Sequence, residues 1–285
     1  MIAQAILVTA VQKLRTAGVP DPARDARILL ACAMNISAGR LTLHLQDDCG
    51  QTEITAFEKL IAQRETRQPI SQILGKRSFY GRDFIVTANV LDPRPETETL
   101  VTEALSISFD SVLDMGTGSG CLIATLLAER PKATGMGADI SKKAIEVARR
   151  NAEILGVLDR AEFVQSDWFG GVNGTYDLVV SNPPYIDEDE WQTLEPEPKN
   201  WEPKIALTPG LDGLTPYREL AQNAPQYLNA GGWLMVEIGW QQGPAVSQIL
   251  SDNHWSCIDV VTDLDGRDRV VKGQIPDKPL QKGQN

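Results

Sequence analysis

The chain has 285 residues, 42% hydrophobic and 23% charged, the make-up of a globular protein with room for one large domain or two ordinary ones. Its net charge of −11 is uneven: residues 1–75 hold 8 Lys/Arg against 7 Asp/Glu, and residues 76–285 hold 19 against 31. An acidic body is a poor partner for a phosphate backbone, no apolar run approaches the roughly 20 residues of a membrane span, and Met1 to Ile6 lacks the basic start of a signal peptide. Four scattered cysteines (Cys32, Cys49, Cys121 and Cys257) with no C-x-x-C read as reduced thiols in a cytoplasmic protein.

The first 75 residues predict helices only. Ile2, Ala5, Ile6, Ala10, Leu14 and Ala17 recur at helical spacing until Gly18-Val19-Pro20 stops them. Asp21-Pro22 is a helix cap followed by proline at the first helical position, opening a helix to about Met34. A short helix is expected over Ala38 to Leu45 and a longer one over Thr52 to Arg67. Ser78-Phe79-Tyr80 and Phe84-Ile85-Val86, flanking Gly81-Arg82-Asp83, predict a β-hairpin that serves either as a connector or as a wall of a site.

From Pro93 the pattern alternates. Strands are expected at Ser111 to Met115, Ala133 to Ile140, Ala161 to Gln165, Tyr176 to Ser181, Trp233 to Ile238, Ser256 to Asp263 and Arg267 to Lys272. Helices are expected at Ser119 to Glu129, Ser141 to Leu155, Thr215 to Leu228 and Gly243 to Ser251. Such alternation predicts a parallel, doubly wound α/β sheet whose ligands sit at the strands' carboxyl ends. Asp187 to Pro203, acidic and Pro-rich, reads as a loop, and the tail after Gly273 as frayed.

Three motifs fall at those carboxyl ends. Asp114-Met115-Gly116-Thr117-Gly118-Ser119-Gly120 joins the first strand to its helix. A dinucleotide fingerprint would need glycine at 121, where Cys121 stands; G-x-G-x-G instead suits S-adenosylmethionine, which has no pyrophosphate. Asp139 ends the second strand, placed to accept hydrogen bonds from ribose hydroxyls. Asp167 and Trp168 follow the third, suited to an adenine amine and ring, though Trp168 is equally a packing aromatic. Asn182-Pro183-Pro184-Tyr185 follows the fourth. Two prolines stiffen this loop and leave its carbonyls without competing N–H groups, the Asn182 side chain adds an acceptor, and Tyr185 adds an aromatic face. Such a pocket suits a planar group carrying an NH2, either a carboxamide or the exocyclic amine of a base.

With these motifs, the chain resembles the protein-(glutamine-N5) methyltransferases that modify peptide chain release factors. The resemblance runs through Leu91-Asp92-Pro93-Arg94-Pro95-Glu96-Thr97-Glu98, the glycine loop, Ala138 to Ser141, Asp167 to Phe169 and Ser181 to Asp187. It continues through Glu202-Pro203, Ala206-Leu207, Asp212-Gly213-Leu214, Glu237-Ile238-Gly239 and Asp263 to Arg269. Asp92 departs from the isoleucine common in the family. The resemblance implies a Rossmann-like, seven-stranded S-adenosylmethionine-dependent methyltransferase domain over 93–285, preceded by a helical substrate-recognition domain over 1–74 and a β-hairpin linker over 75–92. It implies cofactor contacts at Gly116, Thr117, Gly118, Ser119, Gly120, Asp139, Trp168 and Asn182, and a glutamine pocket at Asn182, Pro183, Pro184 and Tyr185. Asn182 Oδ1 and the Pro183 carbonyl would then hold the amide nitrogen in line, with Tyr185 on the amide plane; these three are the catalytic candidates. Methyl transfer from a sulfonium yields S-adenosylhomocysteine and needs no metal. The expected partner is a release factor, bound by a monomer in the cytoplasm without nucleic acid or membrane.

Sister enzymes acting on a ribosomal-protein glutamine usually differ after Arg94, and adenine or guanine amino methyltransferases share N-P-P-Y but want a basic surface. His44 and His254 fall away from the motifs, so a histidine-based nucleophile is not expected. Cys121 reads as packing at a helix start, and Asp187 to Glu190 as a solvated acidic stretch rather than a metal cluster. Arg94 and Glu96 are expected either to fold over the pocket or to form a domain-junction ion pair.

Overall fold

A computed structural model describes residues 1–276. In chain order the elements are α1 (Ala3–Thr16), α2 (Pro22–Ala33), α3 (Gln51–Glu65), α4 (Ile70–Leu74), β1 (Lys76–Phe79), β2 (Arg82–Ile85), α5 (Glu98–Ser106), β3 (Ser111–Met115), α6 (Cys121–Glu129) and β4 (Thr134–Asp139). There follow α7 (Lys142–Ile154), β5 (Ala161–Gln165), β6 (Tyr176–Ser181), α8 (Glu188–Thr193), α9 (Pro196–Trp201), α10 (Thr215–Asn223), β7 (Leu228–Glu237), α11 (Gly243–Asp252), β8 (Ser256–Thr262) and β9 (Asp268–Gln274). The chain divides into two units, one made of residues 1–76 with 195–201, the other of 77–194 with the rest from 202.

In the helical unit, α1, α2 and α3 bury Leu14, Leu29, Leu30, Phe57 and Ile61 around Leu41, which sits in a short 3-10 turn over Ala38–His44. Asp21 caps α2 as its residue type requires, accepting from the Arg24 backbone N–H, with Pro22 at the first helical position. The unit also buries charge. Arg64 donates to Asp25 at 2.8 Å and to Glu197 at 3.0 Å, and Arg67 donates to the same Glu197 at 2.6 Å. Gln72 reaches the Trp201 carbonyl at 2.7 Å. So α9, distant in sequence, is held by Arg64 of α3 and by Arg67 just beyond its end through paired, largely desolvated ions.

The second unit is built on a seven-stranded sheet of order β5-β4-β3-β6-β7-β9-β8. The first five of these are mutually parallel, whereas β9 lies antiparallel between β7 and β8. The expected all-parallel sheet is corrected there: β8 and β9 are joined by a tight turn, and a hairpin can only be antiparallel. Successive strand residues face opposite layers, Val112 and Leu178 into one core with α5 and α6, Leu113 and Val179 into the other with α10 and α11.

Boundaries at β3, β5 and β6 match the sequence expectation, and several others shift. The hairpin turn is Tyr80-Gly81, both residues at positive φ, so Arg82 and Asp83 belong to a strand. Phe79 and Phe84 pack edge to face at 6.0 Å in the sheet unit's core. Residues 187–203, expected as a loop, contain α8 and α9; Asp187 caps α8 by accepting from the Glu190 N–H at 2.8 Å. Helices α4 and α5 were not expected, being short and flanked by Pro69 and Pro95. β9 continues through Gln274, past the expected fraying point, and the rest of that tail lies outside the described residues from 277.

Candidate active site

The strand order reverses at β3, which connects to β4 on one side and pairs with β6 on the other. The crevice beyond their carboxyl ends is the position this topology offers a ligand. A cavity of about 380 Å³ opens there. Its wall includes Gly116, Thr117, Gly118 and Ser119 after β3, Asp139 and Ile140 after β4, Asp167 and Trp168 after β5, and Asn182 and Pro184 after β6. Gly120, Pro183 and Tyr185, also singled out from sequence, are not part of this lining. Larger hollows at the amino edge of the sheet and along α1 gather none of these strand ends.

The glycine loop is fixed from below. Asp114, fully buried, accepts from the Thr117 hydroxyl at 2.6 Å and the Ile123 N–H at 3.3 Å, and burial pushes its carboxyl up to about 7. Gly120 takes φ +76°, and a Cβ there would press on Ala148 at 3.0 Å, so only glycine lets α6 begin against α7. Asp139 accepts from the Gly118 N–H and the Ser141 N–H, each at 2.8 Å; burial raises its pKa while those two bonds oppose the rise. Each carboxylate oxygen keeps a lone pair for a further donor. Trp168 sits at φ 47° in a turn held by Ser166, whose hydroxyl donates to the Trp168 carbonyl and accepts from the Gly171 N–H at 2.8 Å.

The loop after β6 is braced at both ends. Asn182 Nδ2 donates to Thr97 Oγ1 at 3.1 Å, leaving Oδ1 as the side chain's acceptor. The Tyr185 carbonyl accepts from Gln242 Nε2 at 3.1 Å, and Gln242 Oε1 accepts from the Gly239 N–H at 2.9 Å and the Tyr217 hydroxyl at 3.3 Å. Gly213, at φ +70°, lies flat against the Tyr185 carbonyl with no room for a Cβ. Burial, reinforced by Glu237, holds the Tyr185 phenol well above its ordinary value, so it is neutral.

The Pro93 to Glu98 segment ties three parts of this unit together. Arg94 Nη2 donates to both oxygens of buried Glu202 at 2.8 and 2.7 Å, Thr97 holds Asn182, and Glu98 accepts from the Tyr80 N–H at 2.8 Å. Burial lifts Glu202 to about 7 despite Arg94 beside it. Arg94 also lines the cavity, while Glu96 does not. Asn151 on α7 likewise joins Ile85, through its N–H at 2.7 Å and carbonyl at 3.0 Å, to the Ser119 carbonyl at 2.8 Å.

Sequence reasoning singled out Gly116 to Ser119, Asp139, Asp167, Trp168, Asn182 and Pro184 on the wall and missed Thr97, which lines the cavity as the partner of Asn182, together with Gln242, Tyr217 and Asn151, which are not part of the lining. Thr97 was signalled only by its place in the Pro93 to Glu98 run. Cys121 opens α6, and burial pushes its thiol up to about 12, leaving it inert. All four cysteines are free. His44 pairs with Asp47 in the helical unit. Among the described residues, no group of three or more His, Cys, Asp or Glu is placed to hold a metal ion, and no helix is long and apolar enough to cross a membrane.

Comparison with known proteins bears on the same two regions. The PrmC N-terminal domain model matches residues 5–75, and the methyltransferase small domain model matches residues 89–194. The chain is 50% identical over 270 residues to the release factor glutamine methyltransferase of Cereibacter sphaeroides, covering 95% of this chain and 97% of that one. It is 44% identical over 262 residues to that of Rhodospirillum rubrum, covering 91% and 81%. Among solved structures, a methyltransferase from Pyrococcus furiosus matches 77% of this chain and 98% of its own at a TM-score of 0.53 and 15% identity, a likeness of fold. The chain belongs to the release factor glutamine methyltransferase family.

Proposed function

We infer that the protein methylates the side-chain amide nitrogen of the glutamine in the Gly-Gly-Gln motif of peptide chain release factors, using S-adenosylmethionine. The observation that carries this reading is the Asn182 amide on the cavity wall, its Nδ2 committed to Thr97 and its Oδ1 left to accept.

The lining fits the cofactor. Its volume lies within the roughly 300–1,000 Å³ of small-molecule sites, glycine backbone meets a carboxylate with spare lone pairs, and Ile140 and Trp168 supply an apolar wall. Gly116, Thr117, Gly118, Ser119 and Gly120 would hold its amino-acid end, Asp139 the ribose, Trp168 the adenine, and Asn182 the edge nearest the transferred methyl. When bound, it supplies an electrophilic methyl on a sulfonium that departs as a neutral thioether.

The remaining difficulty belongs to the acceptor. An amide nitrogen is a weak nucleophile because its lone pair is delocalised into the carbonyl. Asn182 Oδ1 and the Pro183 carbonyl each take one N–H of the glutamine, aim the nitrogen and stabilise positive charge building on it. Positioning of this kind is worth roughly 7–11 kcal/mol in well-oriented systems. Pro184 stiffens the loop, and Tyr185 packs on the amide plane. The nitrogen gains a methyl and releases one proton to water.

The helical domain over 1–74 is the substrate-recognition part, with the hairpin over 75–92 linking it to the methyltransferase domain over 93–285. The same reading has a monomer at work in the cytoplasm with no nucleic acid in its site, supported by the −12 net charge of residues 76–285. Incubation with a release factor and cofactor should add a single methyl, located by mass spectrometry to the Gly-Gly-Gln glutamine. An unmodified intact factor, or label appearing instead on a ribosomal protein or on nucleic acid, overturns the assignment.

A further inference from the structure

The only anionic group of S-adenosylmethionine is the carboxylate of its amino-acid end, and a cavity that encloses it has to supply donors. The glycine loop is poorly placed to do so. The N–H groups of Gly116 and Thr117 both go to the Ala138 carbonyl, at 2.8 and 2.9 Å. That of Gly118 goes to Asp139 at 2.8 Å, and that of Gly120 to the Thr117 carbonyl at 2.8 Å. With these donors spent inside the fold, the loop has mainly carbonyl oxygen to offer, which suits the ammonium of the same amino-acid end. Asp92, Asp139 and Asp167 on the wall add carboxyl groups, which offer an anion nothing. Among the described residues of the lining, Arg94 is the one cation.

Arg94 is anchored by its ion pair without being used up by it. Pro95 behind it favours the extended backbone that it takes, φ −93° and ψ 141°. Its Nη2 donates to both oxygens of Glu202 at 2.8 and 2.7 Å. The Glu202 side chain is 2% exposed and that of Arg94 34%, so the counter-ion is sealed while the guanidinium reaches the open cavity. A guanidinium carries five N–H donors, and no acceptor among the described residues engages those on Nε or Nη1. Its place along the wall also fits. Thr97, which holds Asn182 beside the reacting end, follows Arg94 by a single 3-10 turn closed by the Thr97 N–H on the Arg94 carbonyl at 3.1 Å. That turn advances about 6 Å, comparable to the aliphatic arm between the sulfur and the carboxylate. We propose that Arg94 binds the α-carboxylate of the cofactor through Nη1, with Nη2 anchored on buried Glu202. This rests on the reading of the cavity as the S-adenosylmethionine site.

The test is calorimetric binding to the full-length protein of two probes that share the nucleoside: S-adenosylhomocysteine, which carries the amino-acid end, and methylthioadenosine, which lacks it. Arg94→Gln keeps a donor for Glu202 and removes the charge. It should weaken S-adenosylhomocysteine by about 10- to 100-fold, the loss expected for a hydrogen bond to a charged group, and leave methylthioadenosine within about twofold. Tm is measured alongside. Should Arg94→Gln fail to fold, the parental protein is offered S-adenosylhomocysteine with its carboxylate converted to an amide, which should bind weaker by the same factor; equal binding of acid and amide overturns the proposal. So does S-adenosylhomocysteine binding that is equal in the parent and Arg94→Gln. An equal loss for both probes also overturns it, since Arg94 would then only shape the wall. A raised KM for the release factor with both affinities unchanged moves Arg94 to the protein substrate and overturns it as well. A parental protein that binds neither probe removes the cofactor reading itself, whereas parental binding beside an indifferent Arg94→Gln removes only this inference.

Discussion

Gly213→Ala should slow catalysis from outside the cavity. Gly213 takes φ +70°, and an added Cβ falls well inside contact with the Tyr185 carbonyl and 3.0 Å from Gln242 Nε2. Three effects follow. Alanine in the left-handed region costs about 1–2 kcal/mol. Loss of the Gln242–Tyr185 hydrogen bond costs about 1 kcal/mol more. The loop must also yield, on the order of 0.5–1 Å, and misplacement by 1 Å at a reacting centre can cost about 100-fold. The expected result is a kcat about 10- to 100-fold lower, equivalent to about 1.4–2.7 kcal/mol. Cofactor affinity should stay nearly unchanged, because the glycine loop lies after a different strand. The control is Gly210→Ala: Gly210 has φ +75°, but an added Cβ would meet nothing within 4 Å, so it carries the conformational cost without the push. Turnover by radiolabelled methyl transfer and Tm by calorimetry separate the terms. Equal kcat in the two variants refutes the reasoning, since strain alone would then explain both.

Asp139→Ala should weaken S-adenosylhomocysteine binding by at least about tenfold, by analogy with losing hydrogen bonds to a charged group, while kcat at saturating cofactor falls much less; unchanged affinity by calorimetry contradicts its ribose role. Asn151→Ala removes one acceptor and two donors from a buried junction and should cost about 2–4 kcal/mol in urea unfolding; a loss below 1 kcal/mol would mean that water replaces all three bonds. Burial lifts Asp114, Glu202 and Glu237 to about 7, from ordinary values of 3.8, 4.5 and 4.5. Between those limits the folded state binds protons that the unfolded state has released, so these groups make stability fall as pH rises through that window. The lowered carboxylates Asp177 and Glu197 act oppositely only as pH falls toward their own acid range. Tm should therefore be higher at pH 6 than at pH 8, and a flat or rising Tm across that interval shows that the three groups are ionised throughout.

The sequence carries local signals well. Asp21-Pro22 marks a helix start because cap and fixed φ act within one turn, and Gly116 to Gly120 mark a tight bend because only glycine tolerates the backbone. Asn182 falls at a strand end because an apolar run stops at prolines. Thr97, Gln242 and Tyr217 were not legible, since each meets its partner across 25 to 85 residues of chain and none has an unusual local pattern. The antiparallel placement of β9 is a matter of pairing order, which alternation of strands and helices does not encode. Helices α8 and α9 were hidden by Pro196, Pro198 and Pro203, which favour breaks but also start short helices.

The crossing of Glu195–Trp201 into the helical unit changes what counts as a piece of this protein. The chain passes between the two units at three places, so a protease cut near Gly75 leaves the helical bundle without a covalent tie to α9 but still pinned to it by Arg64, Arg67 and Gln72. The complement is equally plain. A fragment ending near residue 75 contains Asp25 and Arg64 but not Glu197, so Arg64 keeps one of its two carboxylates and Arg67 loses both of its own. The fragment is a bundle with a missing counter-ion, and adding a synthetic peptide spanning 195–201 should restore its melting temperature.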